Sequence, residues 1–553
     1  MLNSRRRIQL WSLWLVLVCG ILSVWTWLFR GLLYDDAYIS FRFSENWASG
    51  IGLTWNAGAQ VVEGFTSFLW VAIGTAIELL AKIPPHKSMV FVGIASWLAM
   101  VVIVVPLISK LLTTDRKGLG FRVARAVCIL TVLMTPQVAL GAFQGLETAF
   151  YSCILALVVF VAIKVDAPWL KGLLAICSFV AFMTRPDALA FVLPLWAVLF
   201  VFSNGSGKRA CLRAFGVFIL VLLLYSVVKW QWSGYPFPNT FYIKKGFRLQ
   251  GLGYVGRYLG ALTPVWLFMA YSIGRLGATK LMRDRSFMLL IVPTLFFCIS
   301  YTMMRPMMGW AFRFLIPTWP LFVLAALRVE VLRQNTGRSS ITPAAVLRGS
   351  AVFYLTLTGL TMNSWLLMKG DYQYISSLCR FTNRANVTGG MLLSSAAELS
   401  PAPVIATGDI GALSYFSKLK TIDLIGLVDS TIAHQGLTHE YFLQNRPDIV
   451  VLQDLFLRSS PPTSPAINIE LTVDGARCWL DVERYRSILT DPFQFHTGAG
   501  STYQVVTSPR FANLYVNVGR LPYGEGYPLF LRKDYERFKE LLSILSKIIE
   551  KSK

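Results

Sequence analysis

The sequence predicts a polytopic α-helical membrane protein that ends in an α/β domain. Three observations carry this reading. Of 553 residues, 55% are hydrophobic and only 15% charged, with a mean hydropathy of +0.55, too apolar for a soluble chain of this length. Apolar stretches of roughly 17–25 residues, the length that crosses about 30 Å of hydrocarbon, recur between residues 8 and 368. Beyond about residue 369, Gly, Pro, Ser and charges increase and apolar runs shorten to strand length. The boundary is therefore drawn between 1–369 and 370–553.

The first stretch, 8–28, follows Arg5, Arg6 and Arg7. It exceeds the apolar core of a secretory signal and lacks a small-x-small cleavage site, so it reads as a retained first helix. Next comes "YDDAYISFRFSENWASG", a helix lying along the membrane surface, with Asp35 and Asp36 at its positive end and Gly50 suited to its close. Phe68–Ala81 is apolar but short, which fits an interfacial or re-entrant segment better than a span. Further spans are expected at 89–111, 123–141, 147–164, 170–184, 187–203, 211–232, 258–274, 286–303, 312–329 and 347–368, about eleven with the first. Six of the eight cysteines lie in or beside these spans without CxxC spacing and read as small core residues.

With the N-terminus inside and Phe68–Ala81 not crossing, the basic residues of every loop from Lys110 to Arg348 that the positive-inside rule should hold in the cytoplasm fall there. The expected location is the bacterial cytoplasmic (inner) membrane, with the C-terminal domain outside. The net charge of +23 then reflects topology and anionic membrane lipids as partners, and nucleic acid is excluded. In the C-terminal part, "PVIATGDIG", "KTIDLIGL" and "RPDIVVLQD" read as strands, "ALSYFS" as a helix between the first two, and "FKELLSILSKIIEKSK" as an amphipathic helix.

This topology gathers charged residues of separate segments at the outer face. One acid is enough to cap a helix, yet Asp35 and Asp36 come as a pair with Arg42 on the same helical face. Glu63 precedes the short apolar segment and Glu147 opens a span. Arg185 and Asp187 flank Pro186 in "MTRPDAL"; "YPFPNTFYIKKG" brings Tyr242, Lys244 and Lys245; Arg313 begins "FRFLIPTWP". Dipole stabilisation accounts for Glu147 alone, an ion pair for Arg185 with Asp187, and snorkelling for Arg313 alone. Together, ionisable groups beside hydrocarbon mark a site. Cations hold a phosphate, aromatic walls hold a polyprenyl chain, and a carboxylate manages an acceptor hydroxyl. Hard oxygens at the aspartates suit Mg2+ or Mn2+, although no ligand spacing compels a metal.

The blocks "YDDAYISFRFSENWASGIGLTWNAGAQVVEGFTSFLW", "GLETAF", "TRPDAL", "PNTFYIKK", "FRFLIPTWPL" and "GDIGALSYFSKLKTIDLIGLVD" together resemble the GT-C membrane glycosyltransferases of the mycobacterial terminal arabinofuranosyltransferase B type. The resemblance implies a multi-helix GT-C membrane domain, an extracytoplasmic C-terminal domain, and transfer of a sugar, D-arabinofuranose in the namesake, from a polyprenyl-phosphate donor to a cell-envelope glycan. It places the essential acid of the first outer loop on Asp35 or Asp36. Arg42, Arg185, Lys244, Lys245 and Arg313 are then the expected phosphate contacts, with Glu63, Glu147, Asp187 and Tyr242 as sugar or positioning contacts. A transporter or lipid flippase is the alternative, but it calls for internal symmetry and charges near the midplane, whereas these charges collect at one face. The C-terminal domain offers a further reading as an acceptor-binding module, with Asp409, Asp423 and Asp429 at or near strand ends.

Overall fold

The structure, a computed structural model, describes residues 4–111, 119–165, 167–243, 250–304, 309–336, 343–452, 457–458, 468–473, 476–481, 508–520 and 528–550. The chain forms two compact units that interleave along the sequence. One comprises Met1–Leu32, Lys87–Tyr225 and Phe247–Ser376; the other comprises Leu33–His86, Ser226–Gly246 and Ser377–Lys553. Polarity alone draws a single cut at 369/370. Contact adds two upstream segments to the polar unit.

The first unit is built of apolar helices. Among the described residues, four helices are long and apolar enough to cross a membrane: Pro85–Leu111, Gly205–Ser233, Arg285–Met303 and Ala351–Glu398. Two bent pairs join them, Val123–Met134 with Pro136–Phe143 at 52° and Gly251–Ala261 with Thr263–Leu276 at 66°. Shorter apolar helices at Val16–Phe29, Thr148–Lys164, Trp169–Thr184 and Pro186–Val201 occupy other stretches expected to span.

Three of the expected spans are interrupted, 258–274 by the 66° bend between Ala261 and Thr263. The stretch 123–141 breaks at Thr135, where Pro136 opens a new helix and cannot donate to the preceding turn. The carbonyls freed near the break are taken by indoles: Trp25 Nε1 donates to Leu133 O at 3.0 Å and Trp365 Nε1 to Met134 O at 3.1 Å. This is how a broken helix keeps its backbone satisfied away from water. The stretch 312–329 becomes α-helical only at Trp319, because Ala311 and Phe312 hold left-handed backbone (φ 52° and 57°) and a 3-10 turn spans Ile316–Thr318.

At the end expected to face the cytoplasm, Asp284 caps the helix Arg285–Ser300 by accepting from Phe287 N–H at 2.8 Å. It also takes both arms of Arg328, at 3.0 and 2.6 Å, while a third Arg328 nitrogen donates to Leu111 O at 2.7 Å.

The second unit centres on a five-stranded mixed sheet of β1 (Val404–Thr407), β2 (Lys420–Asp423), β3 (Ile449–Val451), β7 (Tyr515–Arg520) and β8 (Pro528–Arg532), in the order β2-β1-β3-β8-β7. β1 lies parallel to β2 and β3, and β8 runs antiparallel to both its neighbours. Alternation along the strands divides the core. Ile405, Ile449, Val451, Leu529 and Leu531 face one side with Leu541 and Leu545 of the helix Phe538–Glu550. Ala406, Ile422, Val450 and Phe530 face the other with Phe442 and Phe511. Strands β4 (Leu457–Arg458), β5 (Asn468–Val473) and β6 (Ala476–Asp481) form a separate antiparallel sheet.

The helix Asp35–Ala48 belongs to this unit. Its Ile39 and Phe43 pack with Trp55, Phe65, Val71, Ile410 and Val428, and Ser44 Oγ donates to Val71 O at 2.9 Å. Val71 lies in the helix Phe68–Ala81, which has the bounds and shortness read from the sequence.

Candidate functional site

Four of the expected residues meet in the first unit. The helix Pro168–Thr184 stops at Arg185, held extended at φ −154° and ψ 124° as a residue before proline prefers. Pro186 starts a 3-10 turn that carries Asp187. The break turns the two side chains toward each other: Arg185 Nε donates to Asp187 Oδ1 at 3.1 Å and Nη2 to Oδ2 at 2.7 Å. Arg185 Nη2 also donates to the Tyr301 hydroxyl at 2.6 Å, and that hydroxyl in turn donates to Asp187 Oδ2. Glu147 stands at the N-cap of Thr148–Lys164 but makes no side-chain cap bond. Its carboxylate instead lies 3.6 Å from Arg185 Nη1.

Arg313 supplies a second guanidinium. The ring of Phe314 lies between the two cations, 5.2 Å from Arg185 Cζ and 5.3 Å from Arg313 Cζ. Both arginines are buried. The backbone just before Arg313 is the left-handed pair Ala311–Phe312, tied by Ala311 N–H to Asp371 Oδ2 at 3.1 Å, and just after it Phe314 N–H donates to Tyr254 Oη at 3.2 Å. Backbone held in this region by such ties is strain of the kind that collects at functional sites. Buried guanidiniums, two phenols and two carboxylates can bind a phosphate and orient sugar hydroxyls.

The remaining expected residues that the structure describes, Asp35, Asp36, Arg42, Glu63 and Tyr242, lie in the second unit. Although the Asp35 residue keeps some exposure, its carboxylate is enclosed. Gly411 N–H donates to Oδ2 at 3.1 Å, Ala412 N–H to Oδ1 at 3.0 Å and Asn386 Nδ2 to Oδ1 at 3.1 Å. A Cβ at Gly411 would lie 2.2 Å from both Asp35 O and Asp35 Oδ2, so this approach requires glycine. Burial, reinforced by Asp409, pushes the Asp35 carboxyl up to about 7, against the pull of Ala412 N–H and Asn386. Asp36 keeps partial exposure. Among the described residues, no group of three or more His, Cys, Asp or Glu side chains is placed to hold a metal ion.

Arg42, expected as a phosphate contact, is directed inward. It donates to Trp55 O (3.1 Å), Ser414 O (2.6 Å), Leu419 O (2.9 Å) and Asn56 Oδ1 (3.3 Å), and stacks 4.6 Å from the Trp55 ring. That set of carbonyls makes it a strut between the helix Asp35–Ala48 and the sheet. Glu63 pairs at 2.6 Å with Lys229, and burial raises its carboxyl despite that partner. Sequence reasoning missed Lys229, although it is the one charge in 214–233 of an otherwise apolar stretch. The Tyr242 ring lies tilted against His434, with centroids 4.2 Å apart. Asp423 accepts from Ile425 and Val428 N–H, and Asp429 from Ile432 N–H and the Tyr441 hydroxyl, so both serve turns and caps. Lys244 and Lys245 lie outside the described residues.

Residues 374–523 match a family described as "Domain of unknown function (DUF8728)". No curated protein matches the chain in sequence. Among solved structures, ArnT from Cupriavidus metallidurans in the apo state is similar at TM-score 0.50 and 15% identity, over 85% of this chain and 98% of that one. The same protein bound to undecaprenyl phosphate is similar at TM-score 0.55 and 14% identity, over 84% and 97%. At such identity the likeness speaks for architecture, and it spans nearly the whole of the ArnT chain: this protein shares the multi-helix fold of ArnT.

Proposed function

We propose that the chain is a membrane glycosyltransferase that takes a sugar from a polyprenyl-phosphate donor and transfers it to a hydroxyl of a cell-envelope glycan, outside the cytoplasmic membrane. The observation that carries this reading is the pair of buried guanidiniums around Phe314, with Glu147, Asp187 and Tyr301 against them, in a fold shared with a protein crystallised with undecaprenyl phosphate. The resemblance of the opening motifs adds arabinofuranose as the first sugar to test.

In the proposed reaction the acceptor oxygen attacks the anomeric carbon. The carbon–oxygen bond to phosphate breaks with its electron pair passing to the phosphate, and the acceptor proton goes to a carboxylate. Arg185 and Arg313 stabilise the charge that grows on the leaving phosphate. The resemblance of the opening motif puts the base on Asp35 or Asp36, and Asp36 is the one we assign for testing.

Purified protein in nanodiscs, titrated with undecaprenyl phosphate, tests the lipid site. Saturation to 100 times Kd stabilises a folded protein by about 2.7 kcal/mol. The unfolding temperature should therefore rise for the wild type and for Asp36→Asn, and stay unmoved for Arg313→Gln. An equal rise in Arg313→Gln refutes the phosphate assignment. Full sugar transfer by Asp36→Asn refutes the base.

A further inference from the structure

We infer that the aromatic patch following the helix Gly205–Ser233 is a contact with the lipid headgroup layer, and that it seats the helix Ser430–Gln435 on the bilayer surface. Of the four long apolar helices, Gly205–Ser233 has the smallest buried share, 17% of its apolar window, and Val227, Val228, Trp230 and Trp232 near its end are all exposed. Such a run of exposed apolar side chains needs a nonaqueous neighbour.

The chain leaves this helix at Gly234 (φ 75°) and enters the short helix Asn239–Ile243. Phe237 and Phe241 lie side by side there, ring centroids 4.6 Å apart and each 51% exposed. Tyr235 and Tyr242 then close on His434, at 4.1 and 4.2 Å. Bare phenyl rings beside phenol and imidazole groups match the mixed polarity of the membrane interface, apolar below and wet above.

The patch is fastened to the end of the sheet. Asn239 N–H donates to Glu63 O at 3.0 Å and Asn239 Nδ2 to Gly426 O at 3.3 Å, in the loop that follows β2. His434 belongs to the helix that Asp429 caps at the close of that loop. A bilayer contact at the patch therefore holds this loop at the membrane plane. The two most exposed rings of the patch, Phe237 and Phe241, carry no hydrogen-bonding group of their own, which suits a lipid neighbour better than a sugar. The exposed residues also continue directly from a lipid-length helix.

The test places a benzophenone-bearing phenylalanine analogue at Phe237 or at Phe241 of the full chain, in nanodiscs of phosphatidylethanolamine and phosphatidylglycerol, and counts lipid adducts by mass spectrometry after illumination. Glu536, exposed in the same unit, is the reference position. At least tenfold more lipid adduct at 237 and 241 than at 536 is expected. Equal yields overturn the inference. So does preferential adduct formation with an added soluble cell-envelope glycan, which makes the patch an acceptor platform. Two probe positions keep the test open if one substitution impairs folding. Since the inference rests on the lipid-length helix and not on the phosphate site, it stands or falls apart from the proposed reaction.

Discussion

Asp35 and Asp36 are adjacent carboxylates with different surroundings. Sequence left them equivalent, since either can cap a helix and either matches the acid of the first outer loop. The difference is made by Gly411, Ala412 and Asn386, more than 350 residues further along the chain, and no local pattern announces that pairing. A stability consequence follows at this scale. A carboxyl whose folded-state pKa exceeds its unfolded value near 4 holds a proton that the unfolded chain has lost, so stability falls as pH rises between about 4 and 7. Asp35 at about 7 contributes such a slope, and Asp423, pushed up to about 7 chiefly by burial, contributes another. Thermal unfolding followed across this range should show a shallower pH slope for Asp35→Asn than for the wild type, and a shallower one again with Asp423→Asn added. Parallel slopes in all three proteins contradict the assignment. At neutral pH Asp35→Asn keeps one acceptor oxygen but loses the second, for a cost of about 1–2 kcal/mol.

Among the elements, the turn before Arg313 joins strain to function most directly. Ala311 and Phe312 sit left-handed without being glycine, a conformation costing roughly 1–2 kcal/mol per residue. Asp371 holds the first by its N–H and Tyr254 bonds Phe314 beyond it. Ala311→Gly relieves the first residue's strain, so it should leave stability unchanged or raise it by up to about 1 kcal/mol. It should also weaken undecaprenyl-phosphate binding severalfold, because the turn no longer fixes Arg313. Asp371→Ala should weaken binding as well, and lower the unfolding temperature. Binding by Ala311→Gly at wild-type affinity would mean that the turn does not position the arginine. Nothing in "GWAFRF" declares this conformation, since neither residue is a left-handed type; Pro317 was the only local sign that a helix would start late. By contrast, β1, β2, β3 and the helix Ala412–Ser417 were readable from short apolar runs between turn residues, and Phe68–Ala81 from its length. The expected helix 123–141 concealed its bend because apolar length outweighs a single proline in any hydropathy window. The inward contacts of Arg42 were hidden for a related reason: its partners Ser414 and Leu419 lie far along the chain, and sequence shows no partners.

For the whole molecule, the decisive question is which end of the helical unit faces the cytoplasm. Contacts inside that unit sort the charged residues into two groups. One contains Glu147, Arg185, Asp187 and Tyr301, with Arg313 across the Phe314 ring. The other contains Asp284, Arg328, the Leu111 carbonyl, and Arg285 bonded to Ala162 O at 3.2 Å. The helix Thr148–Lys164 connects them, with Glu147 at its start and Ala162 in its last turn. Its 17 residues span about 25 Å at 1.5 Å per residue, close to the thickness of the hydrocarbon layer. The members of each group come from loops that positive-inside counting puts on one side. A crossing at Phe68–Ala81 would leave the two groups intact and exchange their sides, so labelling decides between the two arrangements. With Lys280→Cys and Ala59→Cys made singly, a membrane-impermeant maleimide applied to intact spheroplasts should label position 59 at once and position 280 only after lysis. Labelling of position 280 in intact spheroplasts would put the guanidinium pair in the cytoplasm, where nucleotide sugars are available and a lipid-linked donor loses its purpose; the proposed reaction would then have to be abandoned, whatever the fold.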